Sequence, residues 1–172
     1  MATTQFSTAW SMPSRWTFDL PPVRGFLERW LNGCEVIVDP FCGKSAIGTL
    51  RNDLADGGQD AVTWCESLLE EWRGKVDAVL FDPPYSPRQI ADCYRGVGLV
   101  PGQSDTQSAA LYRRVRLPLS ELLRPGGVAL SFGWQSSGFG KEWPTGEILL
   151  VRHGGAHNDT ICVAQRKPSC TR

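Results

Sequence analysis

The stretch Val76-Asp77-Ala78-Val79-Leu80-Phe81-Asp82-Pro83-Pro84-Tyr85 decides how this chain is read. Its first six residues are apolar except for Asp77, the pattern of a strand buried in a parallel sheet. Two prolines then end it. Each fixes its own φ and biases the residue before it towards an extended conformation, so the chain leaves the strand on a stiff, non-helical path. That path holds the Asp82 carboxylate, the Pro83 carbonyl and the Tyr85 ring in one constellation. The competing reading is an ordinary proline turn, with Asp82 as turn former and Tyr85 as packing.

A second strand and corner stand about 40 residues upstream. Cys34-Glu35-Val36-Ile37-Val38 reads as a short buried strand that runs into Asp39-Pro40-Phe41-Cys42-Gly43-Lys44-Ser45. Gly43 lets backbone approach a ligand at the carboxyl end of the strand, where open α/β sheets bind nucleotides. The run Gly43-Lys44-Ser45 ends like a phosphate loop, but that motif needs a glycine where Val38 stands, which disfavours ATP.

Together the two corners resemble the Asp-Pro-Phe-x-Gly cofactor loop and the Asp-Pro-Pro-Tyr motif of S-adenosylmethionine-dependent amino-methyltransferases. The stretches Ser11–Phe18, Asp82–Gln89, Phe132-Gly133-Trp134 and His153–Thr160 extend the likeness to small adenine-specific DNA methylases of phages and prophages. The resemblance implies methylation of adenine N6 in double-stranded DNA, with S-adenosylmethionine as donor and no metal. An exocyclic amine is a poor nucleophile because its lone pair is delocalised into the ring. If the Asp82 carboxylate and the Pro83 carbonyl each accept one N–H, the lone pair is directed out of the base plane. Pro84 stiffens this catalytic corner, and Tyr85 stacks on a flipped-out base.

The same resemblance assigns Asp39, Pro40, Phe41 and Gly43 to the cofactor, together with Trp16 and Thr17. Asp53, after a short second strand, is expected to bond the ribose hydroxyls. The acid expected after a third strand at 61–65 falls on Cys65 or Glu66; the reading adopts Glu66, against the alternative that it opens a surface helix. Substrate contacts are expected from Arg88, Trp134, His153, His157 and Asn158. If the strand at 147–152 runs parallel to the one ending at Asp82, the turn His153–Asn158 lies on the catalytic edge. The alternative is a glycine-shaped hairpin with exposed histidines, and two histidines are too few for a zinc site.

Strands are expected at 35–38, 50–54, 61–65, 76–82, 127–133, 147–152 and 159–166, and helices near 22–31, 66–73, 87–95 and 107–123. This is an α/β, Rossmann-like methyltransferase fold: a mostly parallel seven-stranded sheet with a C-terminal antiparallel hairpin and flanking helices. The 172 residues read as one domain, with a long substrate-side loop region at about 86–118 and no separate target-recognition domain.

Eighteen basic residues balance eighteen acidic ones, which argues against a strongly basic nucleic-acid binder and requires any DNA contact to be local. Candidates are Arg88, Arg95, Arg113, Arg114, Arg116, Lys141, Arg152 and Lys167, against ordinary surface charge. Six cysteines without C-x-x-C spacing suit reduced thiols of a cytoplasmic protein, in a bacterial or phage-infected cell. No membrane span or export signal is expected. Two further readings stay open: methylation of RNA, a free nucleotide or cytosine N4, and a non-catalytic subunit that needs a partner.

Overall fold

The computed structural model describes residues 3–98, 100, 108–155 and 157–169. Seven strands form one sheet: β1 Gln5–Trp10, β2 Ile37–Asp39, β3 Leu50–Arg51, β4 Val76–Phe81, β5 Leu123–Gly133, β6 Thr145–Arg152 and β7 Thr160–Arg166. They lie in the order β1-β6-β7-β5-β4-β2-β3. β2, β3, β4 and β5 are parallel to one another, β7 is antiparallel to both β5 and β6, and β1 is parallel to β6. Two antiparallel pairings in succession leave β6 pointing the same way as β4. The carboxyl ends of β1, β2, β4, β5 and β6 therefore share one edge.

The alternating strand positions bury two apolar layers. On one face Ala78, Leu80, Leu130 and Phe132 pack against Val23, Phe26 and Leu27 of α1, Pro21–Leu31. On the other, Val79, Phe81 and Ala129 meet α2, Ala61–Ser67, and α5, Ser108–Leu122. The α5 contacts come from Leu111, Val115, Leu119 and Leu122, a helical spacing along one stripe. Two further helices, α3 Leu69–Trp72 and α4 Pro87–Gly96, complete the outer layers. Asp77, the one polar residue in the β4 run, accepts from the backbone N–H groups of Glu35 and Val36 at 3.0 and 2.9 Å and from Arg124 Nε at 2.7 Å. It ties the chain entering β2 to β4.

The architecture matches the expectation, although its seventh strand comes from a different place. Residues 61–65 are helical, not extended. Asp60 accepts from the backbone of Val62 and Thr63, an N-cap that starts a helix, and Ala61, Val62 and Cys65 are the buried positions, which is helical spacing. The missing strand is β1, which the sequence reading passed over because its residues are mostly exposed along a sheet edge. The strand expected at 50–54 is reduced to Leu50–Arg51, and Asp53 instead caps a 3-10 turn at Leu54–Asp56. Much of the region 86–118 is regular rather than loop: α4 opens with a reciprocal capping box between Ser86 and Gln89, and α5 begins at Ser108. Positions 99 and 101–107, including the polar run from Gln103, lie outside the described residues, as do Ala156 and the end of the tail.

Candidate active site

A cavity of about 870 Å3 opens at the carboxyl ends of β2 and β4. One wall is the loop after β2, with Pro40, Phe41, Cys42, Gly43 and Lys44; facing it is the segment Arg15–Asp19. Asp53 and Asp60 line one flank and Asp82 and Pro84 the floor. Such a volume is in the range of small-molecule and cofactor sites, and its place at the strand ends is where open α/β sheets bind ligands.

The loop after β2 is held by its own acids. Asp39 is fully buried; Oδ1 accepts from the backbone N–H of Phe41 at 3.2 Å, and Oδ2 has no protein partner among the described residues. It lies behind the cavity wall rather than on its surface, which corrects its assignment as a direct cofactor contact. Burial, opposed by the Phe41 bond, raises its pKa to about 7. A carboxyl raised in the folded state stabilises the fold at low pH, where it is neutral in both states, and that contribution is lost progressively as pH rises from its ordinary value of 3.8 through about 7. Asp39→Asn keeps the Phe41 bond and cannot ionise. It is expected to raise Tm most at pH 8, less at pH 5 and hardly below the ordinary carboxyl value of 3.8, by about 2–4 °C for each kcal/mol recovered. Equal shifts at both pH values in thermal melts would contradict this account.

Asp53 also turns inward, accepting from Gly43 N at 2.8 Å through Oδ2 and from Ala55 N at 2.8 Å through Oδ1. Gly43 has φ +50°, and a Cβ there would lie 2.7 Å from the Trp16 ring. The close approach expected of Gly43 is therefore to Trp16. Lys44 adds to the clasp, paired with Asp19 at 2.6 Å and lying 5.1 Å from the centre of the Trp16 ring. Trp16 and Thr17 both line the cavity.

Glu66 does not. It is exposed on α2 and absent from the cavity wall, because the helix that replaced the expected strand turns it outward. The acid that does face the cavity on this side is Asp60, missed by the sequence reading. Its Oδ2 accepts from the Tyr94 hydroxyl at 2.6 Å while Oδ1 caps α2. The N-cap pattern Asp60-Ala61-Val62-Thr63 was the available signal.

Beyond the end of β4 the residues of the Asp82–Tyr85 corner divide between two cavities. Asp82 and Pro84 line the large cavity, whereas Pro83 and Tyr85 line a second one of about 80 Å3. The Tyr85 hydroxyl hydrogen-bonds the Asp82 carboxylate and stands 3.4 Å from Thr17 Oγ1. Burial raises the pKa of Asp82, and the hydrogen bonds from Tyr85 and Thr17 oppose that rise. Burial, followed by the nearby Asp82 charge, holds the Tyr85 phenol well above its usual value. The Tyr112 hydroxyl donates to the Pro84 carbonyl at 2.9 Å, bracing the corner from α5. Trp134, at the end of β5, lies with its ring centre 5.4 Å from that of Tyr85, so the structure brings these two expected site residues together.

The turn after β6 behaves differently. His153 does sit on the catalytic edge, but it is buried, with Nδ1 3.0 Å from the Ser11 carbonyl and Nε2 3.0 Å from Thr160 Oγ1. It pins β1 and β7 together, which corrects its assignment to substrate. His157 and Asn158 are exposed beside it. Arg88 is exposed on α4, 3.9 Å from Asp92, and Arg95 also pairs with Asp92, at 3.1 Å. Arg116 is half-buried against the Phe81 ring and donates to the Gly138 carbonyl, and Lys167 lies on the opposite sheet edge, bonded to the Leu123 carbonyl at 2.7 Å. These two positions do not form one basic patch with the others. No helix among the described residues is long and apolar enough to cross a membrane.

Two solved structures share this architecture. The 1,6-didemethyltoxoflavin-N1-methyltransferase of Burkholderia thailandensis, with 1,6-didemethyltoxoflavin and S-adenosylhomocysteine bound, is similar over 87% of this chain and 78% of its own, at 13% identity and a TM-score of 0.52. TrmN from Thermus thermophilus is similar over 86% of this chain at 16% identity and a TM-score of 0.51; the match takes in 49% of TrmN, so this chain spans about half its length. No protein-family model matches the sequence, and no curated protein does. The chain has the Rossmann-like methyltransferase fold.

Proposed function

We propose that this chain is an S-adenosylmethionine-dependent amino-methyltransferase, and that its substrate is the N6 amine of a flipped adenine in double-stranded DNA. The observation that carries the reading is the place of Asp82: its carboxylate stands on the floor of the cavity whose walls are the loop after β2 and the Trp16 segment. Pro40, Phe41, Gly43, Trp16 and Thr17 would hold the cofactor, with Asp53 and Asp60 shaping the flank. The cofactor supplies an electrophilic methyl group. The protein's part is to make the amine nucleophilic. Asp82 accepts one N–H and the Pro83 carbonyl the other, since the Pro84 carbonyl already accepts from Tyr112. The adenine and DNA assignments rest on the motif resemblance and on the Tyr85–Trp134 aromatic pair beside the corner.

The test is to incubate the purified chain with labelled S-adenosylmethionine and duplex DNA, digest the DNA and identify the nucleosides by mass spectrometry. N6-methyladenine is the expected product. N4-methylcytosine, or label only in RNA or free nucleotides, would move the substrate assignment; no transfer to any of them would favour the partner-dependent subunit.

Gly43→Val tests where the cofactor lies. The branched side chain meets the Trp16 ring and must adopt positive φ, which costs about 1–2 kcal/mol for an L-residue. Trp16 is expected to leave the cavity wall, with S-adenosylhomocysteine affinity falling at least roughly tenfold by calorimetry, the equivalent of about 1.4 kcal/mol. A folded variant with wild-type affinity would place the cofactor elsewhere.

A further inference from the structure

The small cavity behind the Asp82–Tyr85 corner contains a group that the reaction as described leaves without a use. Ser131, on β5 opposite Phe81, is 6% exposed, and its Oγ has no protein hydrogen-bond partner among the described residues. Burying a hydroxyl without a partner is costly, and such groups in folded proteins call for an explanation. Ser131 lines the cavity together with Pro83, Tyr85, Tyr112, Arg116 and Trp134. Arg116 is already held by the carbonyls of Gly138 and Tyr112, whereas the Ser131 hydroxyl is buried in this lining with no partner among the described residues.

At about 80 Å3 the cavity has room for two or three waters at roughly 30 Å3 each, less than a purine needs. Tyr85 lines it at the corner whose Asp82 and Pro84 line the large cavity. Its ring lines the small cavity while its hydroxyl sits on the Asp82 carboxylate, the atom group that must accept the substrate amine. A base that takes the Asp82 Oδ1 position displaces the Tyr85 hydroxyl, and a Tyr85 ring that moves with its hydroxyl opens the small cavity. The base edge then extends from Asp82 and Pro83 towards Ser131.

Resting on the function proposed above, the geometry points to Ser131 as a substrate-contacting residue whose hydroxyl donates to a ring nitrogen of the target base beside the amine being methylated. Adenine has acceptor nitrogens on both sides of its C6 amine, at N1 and N7. A hydroxyl there recognises a ring that carries an acceptor next to the amine, and it selects against rings with carbon at that position.

The test pairs one protein variant with two substrate variants. Ser131→Ala removes only the hydroxyl at a site where that hydroxyl has no protein partner, so the fold is expected to hold, checked by its melting curve. Wild type and Ser131→Ala are compared on random-sequence duplexes in which every adenine is replaced by 1-deazaadenine or by 7-deazaadenine. Wild type is expected to lose roughly 5- to 100-fold in kcat/KM on one of the two analogues. Ser131→Ala is expected to lose a similar factor on adenine and nothing further on that analogue, with S-adenosylhomocysteine affinity unchanged. A purely structural role cannot produce this analogue-specific coupling. Equal discrimination by both proteins on both analogues would overturn the assignment and leave the hydroxyl to a trapped water. The same comparison, made as equilibrium binding of the duplexes with S-adenosylhomocysteine present, needs no turnover. Coupling in binding without methyl transfer would keep the Ser131 contact and remove the reaction; methyl transfer without coupling would do the reverse.

Discussion

An Asp82→Ala variant is expected to lose about 10²–10³ in methyl-transfer rate, the usual cost of removing one preorganised transition-state partner. Its affinity for S-adenosylhomocysteine should stay within a few-fold, because the cavity walls on the cofactor side are built by the loop after β2 and the Trp16 segment. Single-turnover kinetics and calorimetry on the same preparation separate the two quantities. A variant with near wild-type turnover would remove Asp82 from catalysis, and one that loses both properties would show that the corner is structural. Asp82 also hydrogen-bonds Tyr85, so a melting curve should accompany the kinetics.

Tyr85 carries the second large effect. Tyr85→Ala removes the stacking face and should cost about 1–3 kcal/mol, a factor of about 5 to 150, chiefly in use of the target nucleotide. Tyr85→Phe keeps the face. From the sequence alone its hydroxyl has no assigned role; in the structure it bonds the Asp82 carboxylate and so opposes the upward pull of burial on that carboxyl. Without it the Asp82 pKa rises further. The amine needs an ionised acceptor, so the acid limb of the pH profile of kcat/KM, which reports the free enzyme, should move to higher pH in Tyr85→Phe, with near wild-type values recovered on the alkaline side. If Tyr85→Phe is as impaired as Tyr85→Ala at every pH, stacking is not what Tyr85 provides.

Much of the site was legible because its information is local. Proline geometry and the apolar run before it are properties of neighbouring residues, and they place Asp82–Tyr85 at the end of β4 without knowledge of the rest of the chain. The loop from Asp39 to Gly43 was legible for the same reason. The assignments that fail depend on elements that local pattern does not distinguish. Residues 61–65 form an apolar stretch too short to separate strand from helix by periodicity, and the Asp60 cap decided for helix. Once that segment is helical, Glu66 faces outward and Asp60 reaches the cavity.

Charge and residue type mark the chemistry a side chain can do, and in this protein they single out Asp39, Asp53, Asp82, Tyr85 and His153. They do not say where its hydrogen bonds go. Asp53 holds the Gly43 backbone, His153 joins Ser11 to Thr160, Asp39 lies behind the cavity wall, and the Tyr85 hydroxyl bonds Asp82 directly with Thr17 Oγ1 3.4 Å away; which of these contacts form depends on how the elements pack around them. The sequence by itself determined the strand-and-corner pair and with it the fold class, since alternation and proline stiffness act over a few residues. Only the tertiary structure decided which polar groups remain uncommitted. That depends on which strands become neighbours, and it is the packing of β5 beside β4 and under α5 that leaves the Ser131 hydroxyl facing the catalytic corner.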